Sequence, residues 1–156
     1  MKVHKQIVST KDIDIQICDI TLLSAEEYMV AKENIPPVNE WWWLRSPGFF
    51  QCNAAIINSS GALVGRNVNG DYACIRPALK ISNNLKILDK IEFAKHVGTV
   101  VFIKDNYCYV LCDDVVKRTF FRSDWVAKDA NVYEASDIKT SLEAWAKENG
   151  IVYERQ

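Results

Sequence analysis

The sequence predicts an α+β domain, with short antiparallel strands and two helices around a loop-rich centre. Three observations carry this. Apolar and polar residues alternate over short runs, as where Ile13, Ile15 and Ile17 flank Asp14 and Gln16, the period of a half-buried strand. Asn- and Gly-containing turn signals separate those runs. Two segments instead carry helix-start signals followed by helical spacing.

In chain order, residues 3–8 and 13–20 have strand character. Ser24-Ala25-Glu26-Glu27 is a capping box, with Ser24 as N-cap and Glu27 at N3, so a short helix is expected to about Lys32. Pro36-Pro37 ends it and delivers an extended chain into Trp41-Trp42-Trp43. Residues 54–57 form a short strand, Asn58-Ser59-Ser60-Gly61 a turn, and residues 62–64 the returning partner. Asn67, Asn69 and Gly70 mark a second turn, and Tyr72 to Leu79 reads as one strand with Pro77 near its end or on an edge. After Asn83-Asn84, residues 90–94 and 98–103 read as strands. Lys104-Asp105-Asn106 is a turn, residues 107–111 are the return arm of a hairpin, and residues 118–121 add a further strand. Ser136 caps a second helix whose Ile138, Leu142 and Trp145 form one apolar stripe, and Gly150 suits its C-cap. That stripe is expected to lie against the sheet carrying Trp41–Trp43.

The 156 residues suffice for one domain with a real core. Residues 1–80 carry eight basic and eight acidic side chains, and residues 81–156 carry eleven and twelve. Neither half is basic by count, so no nucleic-acid partner is expected. No run approaches the roughly 20 apolar residues of a membrane helix, and Met1 to Gln6 lacks the apolar core of a signal peptide. The five cysteines are odd in number and scattered, which reads as reduced thiols; the expected location is cytoplasmic, or virion-associated. Cys108 and Cys112 share a strand face about 13 Å apart, too far for a disulfide or one metal ion. With only His4 and His96, no zinc spacing is present, and no metal or cofactor is expected.

Two blocks stand out: Trp41-Trp42-Trp43-Leu44-Arg45-Ser46-Pro47-Gly48 and Ile75-Arg76-Pro77-Ala78-Leu79. Trp41 and Trp43 read as scaffold, since tryptophan is highly buried on average; Trp145 does so as part of its helix stripe. Arg45 and Arg76 stand in apolar surroundings where an unpaired charge is costly. They read as structural arginines bonded to backbone carbonyls, with bidentate binding of a carboxylate or phosphate as the alternative.

These blocks resemble a domain family of unknown function found in Firmicutes genomes and their phages. Its hallmark is Trp-Leu-Arg-Ser-Pro, a Gly-containing hairpin, then Val-Arg-Pro-Ala-Leu. Leu22-Leu23-Ser24-Ala25-Glu26-Glu27 and the run from Asn131 to Ile138, leading to Leu142 and Trp145, also look like that family. The resemblance implies a C-type-lectin-like fold related to formylglycine-generating enzymes. The order departs from the family's: here the hairpin and second helix follow the tryptophan block instead of preceding it. One domain over residues 1–156 is expected, with a 1–80 half and an 85–156 half that reads as permuted. The second half packs on its own chain, giving a monomer, or is exchanged between two chains.

The polar segment from Phe49 to Tyr72 offers Gln51, Asn53, Asn58, Asn67, Asn69, Asp71 and Tyr72, the composition of an adaptable recognition loop. The expected function is a non-enzymatic module of bacterial or phage origin that binds a protein or a small polar ligand through this region. An alternative is a small phage or mobile-element inhibitor of a host defence protein. The resemblance raises a third, a formylglycine-type oxidase using Cys52 and Cys74, although nothing around them matches that family's active-site pattern.

Overall fold

The computed structural model describes residues 7–9 and 15–154. Most of the predicted 3–8 strand, and the Ile13 end of the 13–20 strand, lie outside the described residues. The strands are β1 (Ile7–Ser9), β2 (Ile17–Thr21), β3 (Trp42–Pro47), β4 (Asn53–Ile57), β5 (Leu63–Asn67), β6 (Ala73–Ile75), β7 (Ala78–Ile81), β8 (Lys90–Phe93), β9 (His96–Lys104), β10 (Tyr107–Cys112) and β11 (Lys117–Thr119). The α-helices are α1 (Ala25–Ala31) and α2 (Asp137–Glu148).

The architecture corrects the expected α+β, C-type-lectin-like fold. Strands dominate. They form a six-stranded sheet, β1-β8-β9-β10-β7-β2, and a five-stranded sheet, β11-β6-β3-β4-β5, while the two α-helices run for only seven and twelve residues. The centre expected to be loop-rich is built of paired strands, so this is a largely β protein. Neighbours are antiparallel except β1 with β8 and β3 with β6.

The Arg76-Pro77 step is where the chain passes from the five-stranded sheet to the six-stranded one. Residues 72–79 read as one strand in the sequence, but β6 belongs to the five-stranded sheet and β7 to the six-stranded one. Proline lacks an N–H for a ladder and fixes its own φ, which suits a break at that position. The hairpin half then pairs directly with the tryptophan half: β10 runs along β7 with Cys108 opposite Ile81 and Leu111 opposite Ala78.

Local signals explain the element ends. Ser24 Oγ accepts from the Glu27 amide, and the Glu27 carboxylate accepts from the Ser24 amide. Ser136 Oγ likewise accepts from the Lys139 amide and opens α2. Asp105 and Asn106 take positive φ in the two-residue β9–β10 turn, the conformation such hairpins favour. The β8–β9 turn uses the same region with Ala94 and Lys95, residues that rarely adopt it.

Period-2 alternation splits the interior into two clusters. Trp43 and Ile56 point into one with Leu79, Val110, Phe121 and the α2 stripe. Trp42, Leu44 and Ile57 point into the other, with Ala78, Leu111 and Tyr28 of α1. β3 and β4 are therefore buried on both faces. The α2 stripe shares its core with Trp43, but the helix runs along β2 of the six-stranded sheet, not along β3. Trp145 meets His96 at 5.2 Å between ring centroids, and Phe121 bridges toward Trp43 at 5.7 Å.

Because α2 closes the Trp43 core, a fragment ending at Lys128 should lose its cooperative thermal transition. A soluble fragment that still melts cooperatively would separate the helix from this core. Trp145→Ala in the full chain should cost about 3–5 kcal/mol in urea unfolding.

Candidate functional site

The two arginine blocks are crosslinks. Arg45 forms a two-pronged pair with Glu27, Nη1 to Oε1 at 2.6 Å and Nη2 to Oε2 at 2.8 Å, and its Nη1 also donates to Leu22 O. The next residue, Ser46, accepts the Ala25 amide through Oγ. Together they clamp the start of α1 to the end of β3. Burial alone would raise the Glu27 pKa, but the Arg45 and Ser24 hydrogen bonds outweigh it and hold the carboxyl below its ordinary value.

Arg76 is 1% exposed, and no carboxylate hydrogen-bonds to it among the described residues. Its Nε donates to Cys112 O at 2.7 Å, and its Nη2 to Pro36 O and Asp113 O at 2.7 and 2.8 Å. The guanidinium lies 4.9 Å from the Trp42 ring centre. The Asp113 carboxylate is engaged elsewhere, by Lys90 Nζ and Thr99 Oγ1.

The β4–β5 hairpin stands outside this framework. β5 ends the five-stranded sheet and is largely exposed. Its pairing phase is fixed by two bonds beyond the strand ends, Asn58 N to Ala62 O and Val68 N to Cys52 O. By alternation, Val64 and Arg66 turn their backbone groups to β4, while Leu63 and Gly65 turn theirs to the open edge. The Gly65 carbonyl there receives the Arg66 guanidinium at 2.8 Å.

Beside that edge the 48–53 turn projects two phenylalanines, Phe49 96% exposed and Phe50 68% exposed. Gly48 permits the turn: a β-carbon there would sit 2.7 Å from the Asn53 Cβ. An apolar groove of about 980 Å³ lies between this turn and β5, lined by Pro47, Phe49, Phe50, Ala55, Leu63 and Gly65 among others. Loop 124–132, which carries the exposed Trp125 and Val126, is tied to the turn by Gln51 Nε2 to Ala127 O and Asn131 Nδ2 to Phe50 O.

A second, more polar recess of about 520 Å³ gathers Asn53, Asn67, Asn69 and Tyr72 with Arg66. Asn53 Nδ2 donates to Asn67 Oδ1 at 2.8 Å, and the Tyr72 hydroxyl donates to Asn67 O at 2.9 Å. Burial raises the Tyr72 phenol pKa, so it remains a donor at neutral pH. Trp41 backs this recess, edge-on to Tyr72 and under the Arg66 guanidinium.

The structure thus brings together four of the seven residues read as a binding loop. Gln51 is spent on the 127 loop, and Asp71 is exposed and does not line the recess. Asn58 sits at the far end of the hairpin, where its Oδ1 accepts from Ser60 N, Ser60 Oγ and Ala62 N. Phe49, Phe50 and Trp125 escaped the sequence reading. The available signal was a pair of aromatics directly after Pro-Gly, outside any strand or helix period.

All five cysteines are free. Cys52 precedes β4 and Cys74 lies on β6, with β3 between those strands. Two interstrand spacings, about 10 Å, exceed disulfide reach. Burial raises the Cys74 thiol and pushes Cys112 up to about 12. Among the described residues no helix is long and apolar enough to cross a membrane.

Fold and site define a largely β domain with an exposed hairpin edge bordered by aromatic residues. Residues 10–83, just under half of the chain, match the family model described as "Domain of unknown function (DUF6273)". The matched span holds both arginine blocks, α1 and the β4–β5 hairpin. No curated protein and no solved structure matches the chain.

The Glu27 contacts generate a pH test. A carboxyl whose folded pKa is depressed contributes stability above its unfolded value, about 4.3, and loses it as pH falls through the folded value. Wild type should therefore lose stability below about pH 4.3 more steeply than Glu27→Gln. Parallel stability–pH curves in urea unfolding would contradict the pairing.

Proposed function

We propose that this chain is a non-enzymatic binding module that takes an extended polypeptide segment along the open edge of β5. The supporting observation is that the outer edge of β5, which pairs with no strand among the described residues and where Arg66 covers the Gly65 carbonyl, adjoins an apolar groove walled by two phenylalanines exposed by 96% and 68%. An edge strand offers main-chain hydrogen bonds, and a pocket beside it selects alternate side chains of the added strand. The neighbouring Asn53, Asn67, Asn69 and Tyr72 supply adaptable polar contacts around an aromatic anchor. A bacterial or phage origin rests on the resemblance of the two arginine blocks.

A β-carbon on Gly65 would make ordinary van der Waals contacts at 3.8 Å with Asn53, Gly48 and Phe49, so a side chain there starts in the groove without a clash. Full-length protein used as bait in host lysate should recover a partner that Gly65→Leu and Phe49→Asp each lose, with melting temperatures near wild type. Val30→Ser, a change at an exposed residue of α1, should retain it. If every wild-type partner survives Gly65→Leu and Phe49→Asp, the edge is not the recognition surface.

A further inference from the structure

The opposite end of the β4–β5 hairpin covers a smaller pocket of about 210 Å³. Its walls include Tyr28, Lys32, Trp42, Ser59 and Arg76. Two features set it apart from an ordinary crevice. Its charged lining residues are both cations, Lys32 and Arg76. One of them, Arg76, is almost completely buried, yet all its hydrogen bonds go to neutral carbonyls.

The donor count shows what is unused. Arg76 spends Nε and both Nη2 protons on Cys112, Pro36 and Asp113. Its Nη1 carries two further protons with no acceptor among the described residues, and the residue lines the pocket. In the turn above, Asn58 collects the Ser60 and Ala62 amides through Oδ1 and the Gly61 amide through its carbonyl. Ser59, exposed at the tip of this turn, lines the pocket, and its amide and hydroxyl have no partner among the described residues. The turn is held in place by the Tyr28 hydroxyl, which donates to Gly61 O at 2.6 Å.

We propose that this pocket binds a small oxyanion, a carboxylate or phosphate group, through Arg76 Nη1 and the Ser59 amide and hydroxyl, with Lys32 supplying the second positive charge. Carbonyl partners satisfy hydrogen bonds without cancelling charge; the Asp113 and Asp114 carboxylates act on the guanidinium through space, and an anion in direct contact adds to that stabilisation. Burial lowers the Arg76 pKa only to about 10, so the group stays protonated at pH 7. The site is independent of the β5 edge and is tested without any partner of that edge.

The test is an amide and guanidinium NMR titration of the full chain. Sodium acetate and inorganic phosphate are added separately at constant ionic strength, with sodium chloride as the control. Saturating shifts centred on the Ser59 amide and the Arg76 Nε–H are expected with at least one anion. Saturation by phosphate alone identifies a phosphate group, by acetate alone a carboxylate, and by both a general oxyanion site. Lys32→Gln, at an exposed residue, should weaken binding about threefold while leaving the melting temperature unchanged. Shifts that only follow the chloride control, saturation centred elsewhere, or affinity unaltered in Lys32→Gln would each overturn the proposal.

Discussion

The Arg76 guanidinium is the constraint on which the two sheets depend. It sits at the one step between β6 and β7 where the chain leaves the five-stranded sheet for the six-stranded one. From there it binds the carbonyl of Pro36, ahead of β3, and those of Cys112 and Asp113, at the end of β10. The adjacent Pro77 carbonyl accepts the Cys112 amide at 2.9 Å, which fastens the same place again. A single side chain thus joins the tryptophan half to the hairpin half. Carbonyls in loops cannot find ladder partners, and a buried one left unbonded costs about 1–3 kcal/mol.

Arg45 plays a parallel part at the other block. It is half-buried, carries its own carboxylate in Glu27, and anchors α1 to β3. With both faces of β3 buried and both its neighbouring loops clamped, the framework around Trp42 and Trp43 has little freedom. The β4–β5 hairpin grows out of that framework: β4 is buried, β5 is exposed. This division gives an open edge on a rigid base, the arrangement a recognition surface needs if ordering is not to cost affinity on binding.

Much of the local structure was legible. The capping box at Ser24, the cap at Ser136, the Asn58–Gly61 turn and the Asp105-Asn106 hairpin each carry a short-range mechanism that the sequence displays directly. What failed was long-range. Nothing local says that residues 72–79 divide between two sheets, because a sheet change is set by which distant strands are available. The Ala94-Lys95 turn hid because neither residue favours positive φ; the flanking pairs β8 and β9 impose it. The balance of strand over helix is hidden for a similar reason: strands of three to five residues give weak periodicity alone and gain their identity only from partners. For the candidate site, the polar residues show in composition, whereas Phe49 and Phe50 do not, because an aromatic pair is as compatible with a core as with a surface.

The measurement that bears most directly on this account is the urea unfolding free energy of Arg76→Ala. Loss of the guanidinium strands the Pro36, Cys112 and Asp113 carbonyls and empties the space beside Trp42. A loss of about 3 kcal/mol or more, or no cooperative folded state, is predicted. A variant that unfolds within about 0.5 kcal/mol of wild type, the range of an ordinary surface substitution, would contradict the claim that this residue holds the two sheets together.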